Sequence, residues 1–277
     1  EAAIRLSVFE GGFDERAAHY VANVGRPLLL RLRNKSMLDL DGAGRFGWHP
    51  LLESFIKRES SAVAGADQDS ACTESLNKTR ERHARHYLDL LGRCEDLGHG
   101  GDPRRATATL RTESMNIEAA WLQAVESGWW DWVPTRISYF ATALNVEGRH
   151  ARWRQLLEMA LKSAPQASVP WAVLALHEAD VSLEEERYDV AYERLAAAVD
   201  ILHDHGTAFQ SGLGLLRFAR AAYAADRIDE AVKLTTAAAT EFHRANRLDM
   251  LGKAYGQLVW QSQNPSDHEH WFKVYSD

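Results

Sequence analysis

The sequence predicts a mainly all-α protein, in which a small unit with one β-hairpin is followed by an array of helical hairpins. Apolar residues recur at helical spacing along most of the chain, and from about residue 129 a pattern of small residues repeats itself. A polar stretch without periodicity separates the two parts. We therefore expect four segments, namely the small unit at 1–59, a linker at 60–78, connecting helices at 79–128 and helical repeats at 129–277.

The first segment combines short helices with a hairpin. Ala17 and Val21 lie on one face of a helix that begins near Asp14, and a second helix is predicted over Leu28–Leu32. Apolar residues on both sides of the turn Asp41–Gly44 predict a β-hairpin, because glycine permits the positive φ that tight turns need. A further helix is expected from Pro50. Short helices followed by a hairpin form a winged-helix pattern.

Residues 60 to 77, SSAVAGADQDSACTESLN, are small and polar, and we expect them to form a linker or long loop. Beyond them, Ala84 and Leu88 belong to one amphipathic pattern, and Ile117 and Ala124 belong to another. The breaker LGHGGDP separates these two helices.

The repeats are marked by triplets that share one internal spacing and recur about every 40 residues. The triplets are Ala141/Trp153/Ala160, Ala179/Ala191/Ala198 and Ala219/Ala231/Ala238. Polar stretches at Asn145–Gly148, Glu184–Arg187 and Ala225–Arg227 predict the turn inside each hairpin. Small residues at such positions let neighbouring helices approach closely.

Composition narrows the classes of protein. The chain has 277 residues, with 45% hydrophobic and 26% charged residues, as in soluble globular proteins. No apolar run approaches the roughly 20 residues of a membrane span. The net charge of −7 disfavours general attraction to nucleic acid. Cys72 and Cys94 are too few for a disulfide scaffold, so we expect a cytoplasmic protein. The absence of an initiator Met and of a signal stretch leads us to expect a piece of a longer protein.

The spacing of the small residues over 129–264 resembles that of tetratricopeptide repeats. Trp153 and the longer period depart from that pattern, since these repeats usually span about 34 residues. The resemblance implies a tetratricopeptide-like α-solenoid, in which the first helix of each hairpin lines a groove. The groove positions that it implies are Ser138, Thr142, Asn145, Leu176, Asp180, Leu183, Leu216, Arg220, Tyr223 and Trp260. Of these, Asn145, Asp180, Leu183, Arg220, Tyr223 and Trp260 are the candidates for binding a protein, peptide or small-molecule effector.

The N-terminal stretches RLSVFEGGFDERAA and LLLRLRNKSMLDLDGAGRFGWHPLLESFIKRE resemble the winged-helix module of bacterial signal-transduction ATPases with numerous domains. LRTESMNIEAAWLQAVESG is similar to the helix that opens the sensor in these regulators. In that family a triplet at the end of the wing contains a histidine that reaches the β-phosphate of ADP. Here the triplet is Trp48-His49-Pro50, so the resemblance assigns nucleotide sensing to His49, in concert with an upstream nucleotide-binding domain.

No reactive constellation points to catalysis by this chain. A phosphate-binding GxxxxGK[ST] loop is missing, so we expect no enzyme and no cofactor here, with ADP or ATP reserved for a full-length protein. The pair His83 and His86 has no third ligand, and we expect solvated histidines and no metal. The run Trp129–Trp132 is predicted as a packing seam between the preceding helices and the repeats.

Basic residues surround the position of a DNA-reading helix, namely Arg26, Arg31, Arg33 and Lys35. Leu28 and its neighbours leave little polar surface there, and we do not expect DNA contact. The sequence thus favours the sensor portion of a cytoplasmic signalling ATPase that acts as a transcriptional regulator. An interaction adaptor without nucleotide coupling and a DNA-binding winged helix are the alternatives. Oligomerisation stays open.

Overall fold

The computed structural model describes residues 1–65, 71–99 and 101–261, and these are mainly helical with one small antiparallel sheet. The chain divides into two compact units, Glu1–His150 and Ala151–Asp277. Each unit is described below by itself.

The first unit contains a short-helix region with the hairpin and then three longer helices. Its elements are α1 (Ala2–Leu6), α2 (Glu15–Ala22), α3 (Arg26–Asn34), β1 (Leu38–Leu40), β2 (Phe46–Trp48), α4 (Pro50–Gly65), α5 (Ala71–His99), α6 (Pro103–Glu126), a 3-10 turn at Trp130–Trp132 and α7 (Val133–Val146). Helices α5 and α6 pack against each other, and α7 packs on both.

The helix and hairpin expected before residue 50 are confirmed. The carboxylate of Asp14 accepts the amide hydrogen of Ala17 at 2.7 Å, which caps α2 where the sequence predicts its start. Strands β1 and β2 pair in antiparallel fashion with Leu38 opposite Trp48. Phe13 adds an isolated bridge to Phe46, with both N–H···O distances at 2.8 Å. The hairpin is therefore tied to the segment that precedes α2.

The predicted linker differs from the structure. Residues 60–65 continue α4, and residues 71–78 form the first turns of α5. Thr73 and Thr79 lie on the buried face of α5 beside Leu76, so the inward face begins with polar side chains. Because polar side chains occupy buried positions there, the sequence shows no apolar helical period and suggests a loop. The remaining linker residues, 66–70, lie outside the described residues.

A buried polar cluster fixes the segment before α2 to α5 and α6. Asn116 of α6 accepts the amide hydrogen of Glu10 at 2.8 Å and contacts Nε2 of His83 at 3.2 Å, while its amide nitrogen donates to the carbonyl of Gly12 at 2.8 Å. Because the Glu10 amide can only donate and the Gly12 carbonyl can only accept, these bonds fix the orientation of the Asn116 side chain. His83 must then donate through Nε2.

Arg45 completes this cluster. Its guanidinium forms a two-pronged ion pair with Glu113 and also donates to the Gly12 carbonyl at 3.0 Å. Both side chains are largely buried, and a bidentate pair of this kind is strong and directional. Residues from the hairpin, from the segment before α2 and from α6 thus share one hydrogen-bond network.

The second unit is built from antiparallel helices joined by short turns. Its helices are α8 (His150–Ser163, the first residue belonging to the first unit), α9 (Val169–Glu184), α10 (Tyr188–His205), α11 (Ala208–Ala224), α12 (Ile228–Arg244) and α13 (Leu248–Gln261). From α9 onward each helix packs against the next, and α9 also contacts α11. The predicted turns at Glu184–Arg187 and Ala225–Arg227 join α9 to α10 and α11 to α12.

Three turns of this unit share one backbone geometry. Glu186, Asp226 and Asn246 have φ values of 59°, 61° and 55°, and an arginine follows each of them. The amide of that arginine reaches back to a carbonyl of the preceding helix, at 2.9 Å for Arg187 and Arg227. A left-handed residue followed by such a bond is the Schellman ending of a helix, which satisfies its last carbonyls.

Every member of the predicted triplets is buried. The alanines at 160, 179, 191, 198, 219, 231 and 238 are fully buried, and Ala141 and Trp153 are 8% and 4% exposed. In the second unit these positions therefore lie where helices meet, as the spacing predicts.

Candidate ligand-binding cleft

A cleft of about 450 Å³ opens in the second unit beside the ends of α9, α11 and α13. Its volume lies within the range of small-molecule sites, which are roughly 300–1,000 Å³. The lining residues are Leu183, Tyr188, Arg220, Tyr223, Ala224, Gln257, Trp260 and Gln261. The wall is therefore mostly apolar and aromatic, with three polar side chains.

Two aromatic rings form one side of the cleft. The rings of Tyr223 and Trp260 lie 4.4 Å apart between centroids, with their planes inclined by 43°. Trp260 is 67% exposed, which is unusual for so large an apolar side chain. A ligand that covers this ring removes apolar surface from water, which favours binding.

Arg220 supplies the charge in the described lining. The neighbouring Asp180 carboxylate is bound by Arg217 at 2.9 Å and lies 3.6 Å from the guanidinium of Arg220. That longer distance exceeds a hydrogen bond, and the Arg220 side chain is 57% exposed. Two arginines thus face one carboxylate, and the guanidinium that lines the cleft retains donors for an anion.

Gln261 brings a buried amide to the same cleft. It is only 1% exposed, and its Oε1 accepts from the hydroxyl of Thr235 at 2.8 Å. Its Nε2 has no hydrogen-bond partner among the residues the structure describes. A buried donor without a partner costs about 1–3 kcal/mol, and a ligand acceptor would remove that cost.

The structure brings five of the ten predicted groove residues together. Leu183, Arg220, Tyr223 and Trp260 line the cleft, and Asp180 joins them through its arginine partner. Asn145 is exposed on α7, in the first unit.

The groove assignment of Leu176 is wrong. It is 1% exposed, within a stretch of α9 from Trp171 to His177 that is buried on all sides. A helix buried all round has no solvent-facing groove position at its centre. Leu216 is half-buried and packs against the core cluster around Phe242.

Sequence reasoning missed Tyr188, Gln257 and Gln261. The two glutamines flank Trp260 and lie one helical turn apart, so a polar pair beside an exposed tryptophan was the available signal. Tyr188 directly follows the α9–α10 turn, and nothing in its sequence spacing marks it.

His49 lies at the junction of β2 and α4. Its Nδ1 accepts the amide hydrogen of Leu51 at 3.4 Å, and its carbonyl accepts from Leu52 at 2.8 Å. These contacts are those of a residue that caps a helix N-terminus. The side chain is half-buried, and Leu51 beside it is 83% exposed.

The histidine pair on α5 does not match the solvated side chains that we predicted. His83 is 3% exposed and contacts Asn116, because its position faces α6 and the N-terminal segment. Burial lowers the pKa of His83 to about 4, against a smaller opposing effect of the Asn116 hydrogen bond. Burial also lowers the pKa of His86, which is only half-buried.

Within the described ranges no group of three or more His, Cys, Asp or Glu residues is placed to hold a metal ion. The run Trp129–Trp132 lies with Trp121 and Leu88 around a cavity of only about 10 Å³, which agrees with a packing seam.

Arg31 and Arg33 are exposed on α3 and Lys35 directly follows that helix, while the hairpin turn offers no cation. The Asp41 carboxylate there accepts backbone hydrogens of Ala43 and Arg45, at 2.9 and 2.8 Å. The side chain of Arg45 is engaged by Glu113. The hairpin thus presents no free cation that would help to hold a phosphate backbone.

Comparison with protein-family models, with curated proteins and with solved structures found no match to this chain. None of the helices in the described part is both long and apolar enough to cross a membrane.

Proposed function

We propose that this chain is the sensor portion of a cytoplasmic signalling ATPase that regulates transcription, and that its cleft binds the effector. The observation that carries the proposal is the convergence of Leu183, Arg220, Tyr223 and Trp260, from three helices, on one cleft. These four residues are among the groove positions that the tetratricopeptide resemblance implies. Their convergence favours a binding surface of the tetratricopeptide-like kind.

The order of elements in the first unit supports a winged-helix module. The first unit begins with a helix, then the bridging residue Phe13, then two helices and two paired strands. Phe13 bridges to the second strand of the hairpin. The hydrogen-bond network around Asn116 ties this module to α5 and α6. A module held in this way moves with those helices as one body, as a transmitting element requires.

Nucleotide coupling is the part of the proposal that depends on His49. Its Nδ1 and carbonyl are used for capping, which leaves Nε2 as the ring atom for a phosphate of ADP held by an upstream domain. Effector binding would favour one arrangement of the two domains, through its differential affinity for them. We expect no catalysis by the chain alone.

Binding at the cleft is tested with the whole chain and a mixed library of short peptides and small molecules, measured by ligand-observed NMR. Trp260→Ala removes a mostly exposed ring, so the fold should survive, and bound library members should be lost. Tyr20→Ala, which removes an exposed ring of the first unit, is the matched control. A library that binds equally to all three proteins would refute the cleft as the effector site.

The ATPase part is tested separately. A GxxxxGK[ST] motif in the same reading frame upstream of Glu1 supports it, and effector-dependent ATP hydrolysis by that protein should be lost in the Trp260→Ala form. If no such motif exists but the cleft binds a protein or peptide, the alternative of an interaction adaptor is the correct one. Salt-sensitive duplex binding by the chain would instead favour the DNA-binding alternative.

A further inference from the structure

We propose that the cleft binds a planar aromatic carboxylate, with the ring against Tyr223 and Trp260 and the carboxylate at Arg220 and Gln261. This inference rests on the proposed function of the cleft as the effector site and specifies the chemistry of the effector.

The two aromatic side chains that line the cleft are the reason to expect an aromatic ring in the ligand. Tyr223 and Trp260 present inclined faces, and aromatic side chains in such arrangements interact best with a further flat ring, offset or edge-on. The exposed Trp260 ring gains most from a partner that covers it. Aromatic pairs also bind organic cations, but the positive charge of Arg220 in the same lining repels them. The wall therefore selects a neutral ring.

Arg220 is the reason to expect a carboxylate on the ligand. Arg217 binds Oδ2 of Asp180, whereas Oδ1 has no hydrogen-bond partner in the described structure and lies 3.6 Å from Nη1 of Arg220. Asp180 thus faces one nitrogen of the Arg220 guanidinium, and the rest of this mostly exposed group is left to a ligand in the cleft. The planar fork of an arginine matches the two oxygens of a carboxylate. A phosphate or a polyanion carries more charge than this single lining cation balances. One arginine in a mostly apolar cleft thus suits one carboxylate.

The second oxygen of the carboxylate has a donor in Gln261. The hydroxyl of Thr235 lies 2.8 Å from both the Ala231 carbonyl and Oε1 of Gln261, and it has one proton to donate. Because the backbone of α12 already bonds that carbonyl, the proton goes to Gln261 and orients its amide, while Gln257 contacts Thr235 at 3.5 Å. The unpaired Nε2 belongs to a residue that is 1% exposed and lines the cleft. Nε2 is itself covered, so a carboxylate oxygen reaches it once the Gln261 side chain turns towards the cleft, and it then satisfies a donor that is otherwise without a partner in the described structure.

Three probes separate the ring from the charge. The whole chain is titrated with 2-naphthoate, with its neutral amide 2-naphthamide and with the non-aromatic cyclohexanecarboxylate. Affinities are measured by calorimetry, and the site is located by the indole N–H resonance of Trp260. We expect 2-naphthoate to bind at least about tenfold more tightly than either of the others, since each lacks one of the two interactions.

Two variants test the anchor. Arg220→Gln should reduce the affinity for 2-naphthoate at least about tenfold, to the level of the amide. Gln261→Glu keeps the acceptor for Thr235 but places a carboxylate where the donor was, and should weaken 2-naphthoate more than 2-naphthamide. Arg244→Gln, which removes an exposed arginine of α12, should leave all three affinities unchanged.

Equal binding of 2-naphthoate and 2-naphthamide, or unchanged affinity in Arg220→Gln, would overturn the proposal. If other library members shift the Trp260 resonance while none of the aromatic carboxylates does, the proposed chemistry is wrong and the effector site stands. If no compound or peptide shifts it, both are wrong.

Discussion

Asn116 offers the sharpest test of the network that holds the first unit together. Substitution to alanine removes four hydrogen bonds made by one side chain that is 1% exposed. Two of its partners keep other bonds, because Arg45 still donates to Gly12 and to Glu113. The groups that lose their partner are the amide of Glu10 and Nε2 of His83.

Each orphaned buried group costs about 1–3 kcal/mol, so Asn116→Ala should lower the free energy of unfolding by about 2–5 kcal/mol. Asn145→Ala, on the exposed surface of α7 in the same unit, is the control and should change it by less than about 0.5 kcal/mol. Both are measured by urea unfolding with tryptophan fluorescence. A loss below about 1 kcal/mol for Asn116→Ala would mean that water replaces the amide and that the network does not hold the unit.

Two further perturbations address pH and packing. His83 is neutral in the fold because its pKa is about 4, below the value in the unfolded chain. Its contribution to the stability of the fold is therefore complete at neutral pH and is lost as pH falls from about 6.5 towards 4. Between pH 7 and pH 5 the free energy of unfolding should fall by about 2 kcal/mol more in the native chain than in His83→Gln. An equal fall in both proteins would refute this reasoning. His203→Gln, which changes an exposed histidine, is the control. Gly212→Ala should destabilise the second unit by about 1–2 kcal/mol in thermal unfolding, because the new Cβ would lie 2.7 Å from the Phe242 ring. Gly256→Ala lies in a helix with open space around the new Cβ, and it should stabilise the second unit by up to about 1 kcal/mol. If Gly256→Ala destabilised the unit more than Gly212→Ala, the packing described for Gly212 would be contradicted.

The burial of the recurring alanines could be predicted because its physical cause is local. Small residues are needed wherever two helices approach, and Ala179, Ala191 and Ala198 mark those places by spacing alone. The start of α5 was not predictable in this way, because Thr73 and Thr79 face inward and hide the apolar period. The burial of His83 was not predictable either, because it depends on Asn116, which is distant in the sequence.

The cleft was predictable only in part. The tetratricopeptide resemblance assigned Arg220, Tyr223 and Trp260 to one groove, and the structure places them together, the first two on α11 and the third on α13. That resemblance could not identify Gln261, whose importance lies in an unpaired amide nitrogen rather than in its sequence position. The resemblance also placed Leu176 in the groove, because it does not reveal that α9 is buried on all sides between Trp171 and His177.

The shared helix endings carry a consequence for how such a chain can vary. In the turns at Glu186, Asp226 and Asn246 the last carbonyls of the preceding helix are satisfied by backbone amides, so the side chains there carry little of the structural constraint. Each turn is therefore an exchangeable joint, and a segment between two joints could be duplicated or transplanted without redesigning its ends. Evolution can then lengthen the array or renew the cleft one helix at a time.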